Sequence, residues 1–464
     1  MPISTILSRL QFAFTISFHY LFPQLTMGLA LLLVVLKGLY LWRHDERFNV
    51  STRFWTKILA ITFVMGVVTG IPMEFQFGTN WAAFSTYAGD IIAQTLAMEG
   101  AFAFFLESAF LGIMLFGEQA FGQRMHFFAT VMVWIGTWAS GGFIIASNAW
   151  MQHPVGYTIV GNKLHLSNYL AVLLNSWTVP QYMHTMSGAV ITGSFFMAGL
   201  GAYYLLMKQH VDYARIFITV GVIAGFLASC FQLFPSGDME GRQVATYQPV
   251  KLAAMEGLFK TQSGAGVIIL GQPDPDHGTL DNPLIVPNVL SFLTYRRWTA
   301  TVRGLNAFPR SQWPDSISLL YYSYHIMVGL GTIFIAIMGF GALFLLWQRR
   351  LFRYRWMLWI IMLATPFPFI ANTAGWFTTE LGRQPWIIYG LLPTAQGVTS
   401  TLSDGNVLFT LLGFMGMYLL LGLVYVLLMT FEAITGPAAH EHKQESTQEA
   451  EGLSDEFASG LGGE

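Results

Sequence analysis

The chain has 464 residues, of which 54% are hydrophobic and 10% charged, and its mean hydropathy is +0.52. That is too apolar and too poor in charge for a soluble protein of this length, so it reads as an all-α integral membrane protein. A formal net charge of -2 excludes a nucleic-acid binder with a basic surface, and the single cysteine, Cys230, excludes an intrachain disulfide.

At about 20 apolar residues per crossing, helices are expected near 12–41, 54–77, 92–117, 126–149, 181–207, 214–234, 317–347, 357–379 and 406–431. The first apolar stretch is as long as a bilayer span and lacks a short core with a cleavage site, so it reads as a retained helix. Nine transmembrane helices put the termini on opposite sides. Basic residues cluster after the first helix (Arg43, Arg47, Arg53, Lys57), the fifth (Lys208, Arg215) and the seventh (Arg349, Arg350, Arg353, Arg355). Short basic loops face the cytoplasm, which places the N-terminus outside and the C-terminus inside.

The resulting plan is six spans in 1–234, an extracytoplasmic lobe in 235–316, three spans in 317–435 and an acidic cytoplasmic tail in 436–464. The lobe contains seven Lys and Arg residues, but loops longer than about 60 residues escape the charge rule. Its apolar patch Gly266–Leu270 is too short to span. The tail is rich in Glu, Ser and Gly and is expected to be disordered.

Ionisable groups inside a membrane are costly and count as functional candidates. On this topology His19 sits about two turns into the first helix and His184 about one turn into the fifth, both from the outer side. Met327 lies one turn below Tyr321, Tyr322 and Tyr324, and Glu380 ends the eighth helix. Taken singly, a helix-end histidine is more often a packing residue and one of 22 methionines is usually filler. Four potential iron ligands at one expected depth point to haem. A His and Met pair suits a six-coordinate electron-transfer haem, and a single protein ligand leaves a position open for oxygen.

Glu99 and Glu107, eight residues apart on the third helix, are offset by about 80° and separated by about 12 Å in depth. Two carboxylates in one span suggest a proton relay, which Ser140 on the fourth helix extends. Glu99 is also shallow enough to touch an iron. The alternative is that both only hydrogen-bond neighbouring helices. Lys251 and Glu256 open the external lobe with a spacing suited to gripping a ligand from two sides. A quinol headgroup needs such a base and donor, though a solvated surface helix explains the spacing equally well. A proton-coupled transporter without haem remains a rival on these residues alone.

Five strings then appear in order. They are EFQFGTNW at 74–81, AMEGAFAFFLESAFLG at 97–112, NAWMQHPVG at 148–156, QPVKLAAMEG at 248–257 and GWFTTELGRQPW at 375–386. Together with His19, His184, Met327 and Glu380 they resemble subunit I of cytochrome bd quinol oxidase, from the first helix to the ninth.

The resemblance implies a quinol:oxygen oxidoreductase of the bacterial cytoplasmic (inner) membrane. Its electrons enter through a low-spin haem b and pass to a high-spin haem b and a haem d, where oxygen becomes water. It implies His184 and Met327 on the low-spin haem b. It favours His19 on haem d with Glu99 opposite and Glu380 on the high-spin haem b, although family members exchange these two positions. Trp376 and Arg383, inside the last string, go with the cofactor-binding set. Lys251 and Glu256 match the quinol pair, and Glu107 with Ser140 matches the proton route. A second membrane subunit and a small single-span one are implied as partners, with quinol, oxygen and the lipid bilayer.

Two departures stand out. His325 occupies a position where many members carry arginine, which bears on how haem propionates are held. The external loop is short, as in the branch of cyanide-insensitive oxidases, where a further haem b can replace haem d.

Overall fold

A computed structural model describes residues 2–347 and 349–439. The expected tail therefore lies, from residue 440 onward, outside the described residues. Among the described residues nine helical segments are long and apolar enough to cross a membrane. They are Ile3–Arg43, Glu46–Thr79, Ala82–Phe116, Glu118–Gln152, Thr178–Met207, Val211–Tyr247, Ile317–Leu346, Arg355–Arg383 and Asp404–Thr435, called here the first to ninth spans.

Several helices outrun the ends set by hydropathy, and the reason is polar packing. The first span begins at Ile3 instead of residue 12 because Thr5, Ser8, Gln11 and Thr15 are buried against polar neighbours. The Gln76 amide donates to Thr15 at 2.9 Å, Thr410 donates to Gln11 at 2.8 Å, and Arg9 pairs with Asp315 at 2.9 Å. The sixth span continues past residue 234 to Tyr247 across a kink, where Phe234 is extended (φ -145°, ψ 124°) ahead of Pro235. The external lobe accordingly starts near Gln248.

The fifth span is the most enclosed and the seventh and ninth the least. The first and fifth spans approach backbone to backbone, since a Cβ on Gly28 would fall 2.1 Å from the Ala189 carbonyl oxygen. A core of Phe54, Trp55 and Phe217 joins the second and sixth spans, with Phe54 and Phe217 stacked at 5.7 Å. At the far end from the lobe Lys37 is fully buried. Its ammonium donates to Asn49 at 2.5 Å, Glu118 at 2.9 Å and Gln123 at 2.6 Å, which pins the first, second and fourth spans together.

The connections on the lobe side carry antiparallel pairs: β1 (Tyr157–Val160) with β2 (Lys163–Leu166), β3 (Gln262–Ser263) with β6 (Thr301–Val302), β4 (Val267–Asp274) with β5 (Thr279–Val286), and β7 (Trp386–Ile388) with β8 (Leu392–Pro393). The apolar patch at 266–270 is largely strand β4. A buried cluster including Val250, Leu252, Ala253, Leu258, Phe259, Leu290 and Leu305 packs the lobe onto Leu320 of the seventh span.

Candidate functional site: candidate haem ligands beside a buried lysine

Pro23 has no N–H, so the carbonyl four residues earlier, that of His19, loses its helical partner and the first span breaks between His19 and Leu21. His19 lies about 24 Å along a helix that starts at Ile3, not two turns from its end as hydropathy suggested. Its Nδ1 is 3.0 Å from the Thr69 hydroxyl, which donates to the Met65 carbonyl at 2.7 Å. With that proton committed, Nδ1–H donates to Thr69 and the lone pair is left on Nε2, the tautomer a metal ligand needs. Gly70 makes room, since a Cβ there would come within 2.9 Å of the His19 ring.

His184 lies in the fifth span, facing the kink of the sixth. Its Nε2 is 2.9 Å from the Gln232 amide and its Nδ1 3.4 Å from the Ser236 hydroxyl. Ser187 donates to Gln232 Oε1. Met327 is on the seventh span opposite Gly375 of the eighth, where a Cβ would lie 3.0 Å from the sulfur. His325, two residues earlier, has Nδ1 2.8 Å from the Tyr321 carbonyl and Nε2 2.8 Å from the Ile268 carbonyl. It ties the seventh span to strand β4.

Glu380 accepts from Asn148 at 2.7 Å and pairs with Arg383. Asn148 is itself held by Gln181 at 2.9 Å. Trp376 is partly buried one turn earlier on the same helix. Arg383 is 3% exposed, yet its Nε and Nη1 donate to nothing. Buried guanidinium donors left idle are costly and fit an absent anion such as a haem propionate. Among the described residues no three His, Cys, Asp or Glu side chains converge on one point. An iron here would take one or two protein ligands, and a porphyrin supplies the remaining four nitrogens.

Glu99 and Glu107 are bridged by a π-helical turn, Glu99–Phe104, that the pattern did not reveal. One extra residue in the turn reduces their angular offset from about 80° to about 20°, bringing both carboxylates onto one face. Both point at the fourth span, but the pairing differs from the expected one. Ser140 donates to Glu99 at 2.6 Å, whereas Glu107 is served by Thr137 at 2.8 Å. Thr137 had no signal beyond being one turn from Ser140.

Lys251 and Glu256 are 3% and 1% exposed, which rules out a solvated surface helix. They sit on and just after the short helix Pro249–Met255 and their partners belong to different spans. The Lys251 ammonium donates to the Thr379 carbonyl at 3.3 Å, and its stem lies on Gly382 of the eighth span. Glu256 accepts from Tyr324 of the seventh. Burial pushes the Glu256 carboxyl up to about 7, with the Tyr324 hydroxyl opposing, and burial pushes Lys251 down against the pull of Glu240 and Glu380. Glu256 Oε2 and Gln248 Oε1 are buried without partners. Sequence reasoning missed Glu240 and Trp177, whose indole donates to Glu240 at 2.8 Å and lies 5.7 Å below the Lys251 ammonium.

Fold and site define a multi-pass membrane redox protein with half-buried histidine, methionine and carboxylate candidates for haem. Residues 7–437 match the family model for cytochrome bd terminal oxidase subunit I. The chain is 33% identical to cytochrome bd ubiquinol oxidase subunit 1 of Bacillus subtilis (strain 168), over 98% of this chain and 99% of that one. It is 32% identical to cytochrome bd-II ubiquinol oxidase subunit 1 of Escherichia coli (strain K12), over 96% and 99%. Among solved structures, the bd oxidase from Geobacillus thermodenitrificans superposes with a TM-score of 0.85 at 29% identity, covering 92% of this chain and 98% of that chain.

The chain therefore belongs to the cytochrome bd terminal oxidase subunit I family. It is a quinol oxidase subunit of respiratory electron transport, in a bacterial cytoplasmic membrane, and the family implies haem cofactors and assembly with a second subunit.

Proposed function

We propose that this chain oxidises quinol at its outer face and reduces oxygen to water with protons drawn from the cytoplasm, building a membrane potential without a pump. The observation that carries this reading is the adjacency of the Glu380–Arg383 pair to the buried Lys251. Glu380 and the idle donors of Arg383 lie on the same end of the eighth span that Lys251 grips through Thr379 and Gly382.

His184 and Met327 would hold a low-spin haem b. His19 and Glu380 would hold the other two groups, a high-spin haem b and a haem d or further haem b, with Glu99 near the oxygen-reactive one. Bound haem supplies one-electron chemistry and an iron that binds oxygen. The protein's own side chains do the rest. Glu256 in its basic form takes a quinol proton while Lys251 orients the quinol oxygen. Thr137 and Ser140 hold Glu107 and Glu99 on one face, where they relay protons inward from the cytoplasm. Arg383 neutralises carboxylates beside it, with Trp376 packing nearby. An N-terminus outside and C-terminus inside, and a small single-span subunit beside the second one, complete the proposed assembly.

Each charge moved across the full membrane stores about 2.3 kcal/mol per 100 mV. Proteoliposomes bearing the complex, supplied with quinol and oxygen, should develop an inside-negative potential. Oxygen consumption with no potential would overturn the electrogenic part. Absence of haem bands after dithionite reduction would overturn all of it.

A further inference from the structure

Glu240 belongs to neither the haem ligands nor the pair read from the lobe motif. It is on the extension of the sixth span that hydropathy assigned to a loop. The Trp177 indole N–H donates to its Oε1 at 2.8 Å, while its Oε2 is buried and bonded to nothing. Trp177 is fully buried and held by its own backbone, whose N–H donates to Asn175 Oδ1 at 2.9 Å. Lys251 presents its ammonium to the face of this indole at 5.7 Å and has one carbonyl acceptor, Thr379, for three N–H donors.

The geometry thus links an anion, a ring and a cation. A carboxylate that accepts from the indole N–H pushes electron density into the ring. A richer ring face attracts an ammonium more strongly. The stem of Lys251 on Gly382 leaves the amine little else to fix its direction.

We infer that Glu240, through the Trp177 indole and through its own charge, is a positioning residue for quinol oxidation: it fixes where the Lys251 ammonium points. The inference rests on the reading of Lys251 as part of the quinol site. Other charged groups around Lys251 are Glu380 and Arg383 on the eighth span and Glu256 at the end of its own helix. None of them touches the Trp177 indole N–H, so the effect of Glu240 is separable from theirs.

The test is a double-mutant cycle on the intact oxidase complex in membranes. It uses Glu240→Gln, which still accepts from the indole but carries no charge, Lys251→Gln, and the pair. Oxygen consumption is read with a quinol and with a one-electron donor that reduces haem directly. Glu240→Gln should lower kcat for quinol about tenfold with KM changed less than about twofold, as expected when the donor that orients the reacting oxygen is misdirected. It should leave the direct-donor rate unchanged, and Glu240→Asp should recover part of the loss. In the Lys251→Gln background Glu240→Gln should cost nothing more, because the two act as one unit.

An unaltered quinol rate in Glu240→Gln, or the same fold loss in both backgrounds, overturns the inference and leaves the quinol site standing. An equal loss with the direct donor also overturns it, since that marks damage to the fold. Lys251→Gln with full quinol activity overturns the quinol-site reading and this inference together.

Discussion

The stem of Lys251 crosses Gly382 so closely that a Cβ at position 382 would lie 2.6 Å from its carbons. The carbons of the stem are held there, so a change at position 382 displaces the whole side chain. Replacing Gly382 with Ala should push the ammonium off the Thr379 carbonyl and lower quinol-dependent turnover tenfold or more, an effect of the order of 1.4 kcal/mol per decade. Dithionite-reduced haem bands should be unchanged, and a parallel loss of those bands would argue against a local effect.

Quinol oxidation should be pH-dependent in a stated direction. With the Glu256 carboxyl raised to about 7, the basic form is lost as pH falls through that value, so turnover should fall on the acid side of neutrality. On the alkaline side it should decline below the ordinary lysine value of 10.5, because burial lowers Lys251. Glu256→Gln should remove the acid limb of the pH–rate profile. An acid limb that persists in that variant would clear Glu256 of the role.

Gly375 and Met327 share one space, the sulfur being 3.0 Å from where a Cβ would sit. Gly375→Val should therefore copy Met327→Leu, and both should abolish or convert the low-spin haem spectrum. Reduced-minus-oxidised spectra of membranes are the check, and an unchanged low-spin band in Met327→Leu would remove Met327 as a ligand.

Much of this was legible beforehand, and what was not has a common cause. Nine apolar runs announce themselves because a bilayer demands length and little else of a helix. Residues 3–11 and 238–247 did not, because their polar side chains are satisfied inside the protein. Thr5, Ser8 and Gln11 are buried, and Asp238 is matched by Arg242 at 3.2 Å and Arg296 at 2.5 Å. A hydropathy average sees such residues as loop. The π turn at Glu99–Phe104 is equally silent, since one inserted residue leaves the composition of a helix unaltered, whereas the kink at Phe234 is marked by Pro235. The motif at 248–257 pointed to Lys251 and Glu256. Glu240 and Trp177 come from elsewhere in the chain, and only packing brings them to Lys251.

Thr137 gives a sharp test of the carboxylate pair. Thr137→Val keeps the shape and removes the hydroxyl that serves Glu107, leaving a buried acceptor short of a donor at a cost of about 1–3 kcal/mol. Oxygen reduction should slow several-fold with haem spectra intact, and Thr137→Ser should restore it. If Thr137→Val turns over like the parent enzyme, the Glu107 hydrogen bond has no part in proton delivery.

Gly28→Val should prevent assembly. Its Cβ would meet the Ala189 carbonyl oxygen at 2.1 Å, backbone against side chain, which neither span can relieve by a rotamer change. Overpacking commonly costs 1–3 kcal/mol, about the low end of what this contact demands. The amount of folded complex extracted from membranes and its melting temperature both report the effect.

That same contact has a consequence for motion within the helix bundle. Beyond its break at Tyr20 the first span touches the fifth at Gly28 and Gly193, main chain on main chain. A seam of bare main chain cannot breathe the way a layer of leucines does. The spacing of these two helices is therefore set by two residues that have no side chains to rearrange.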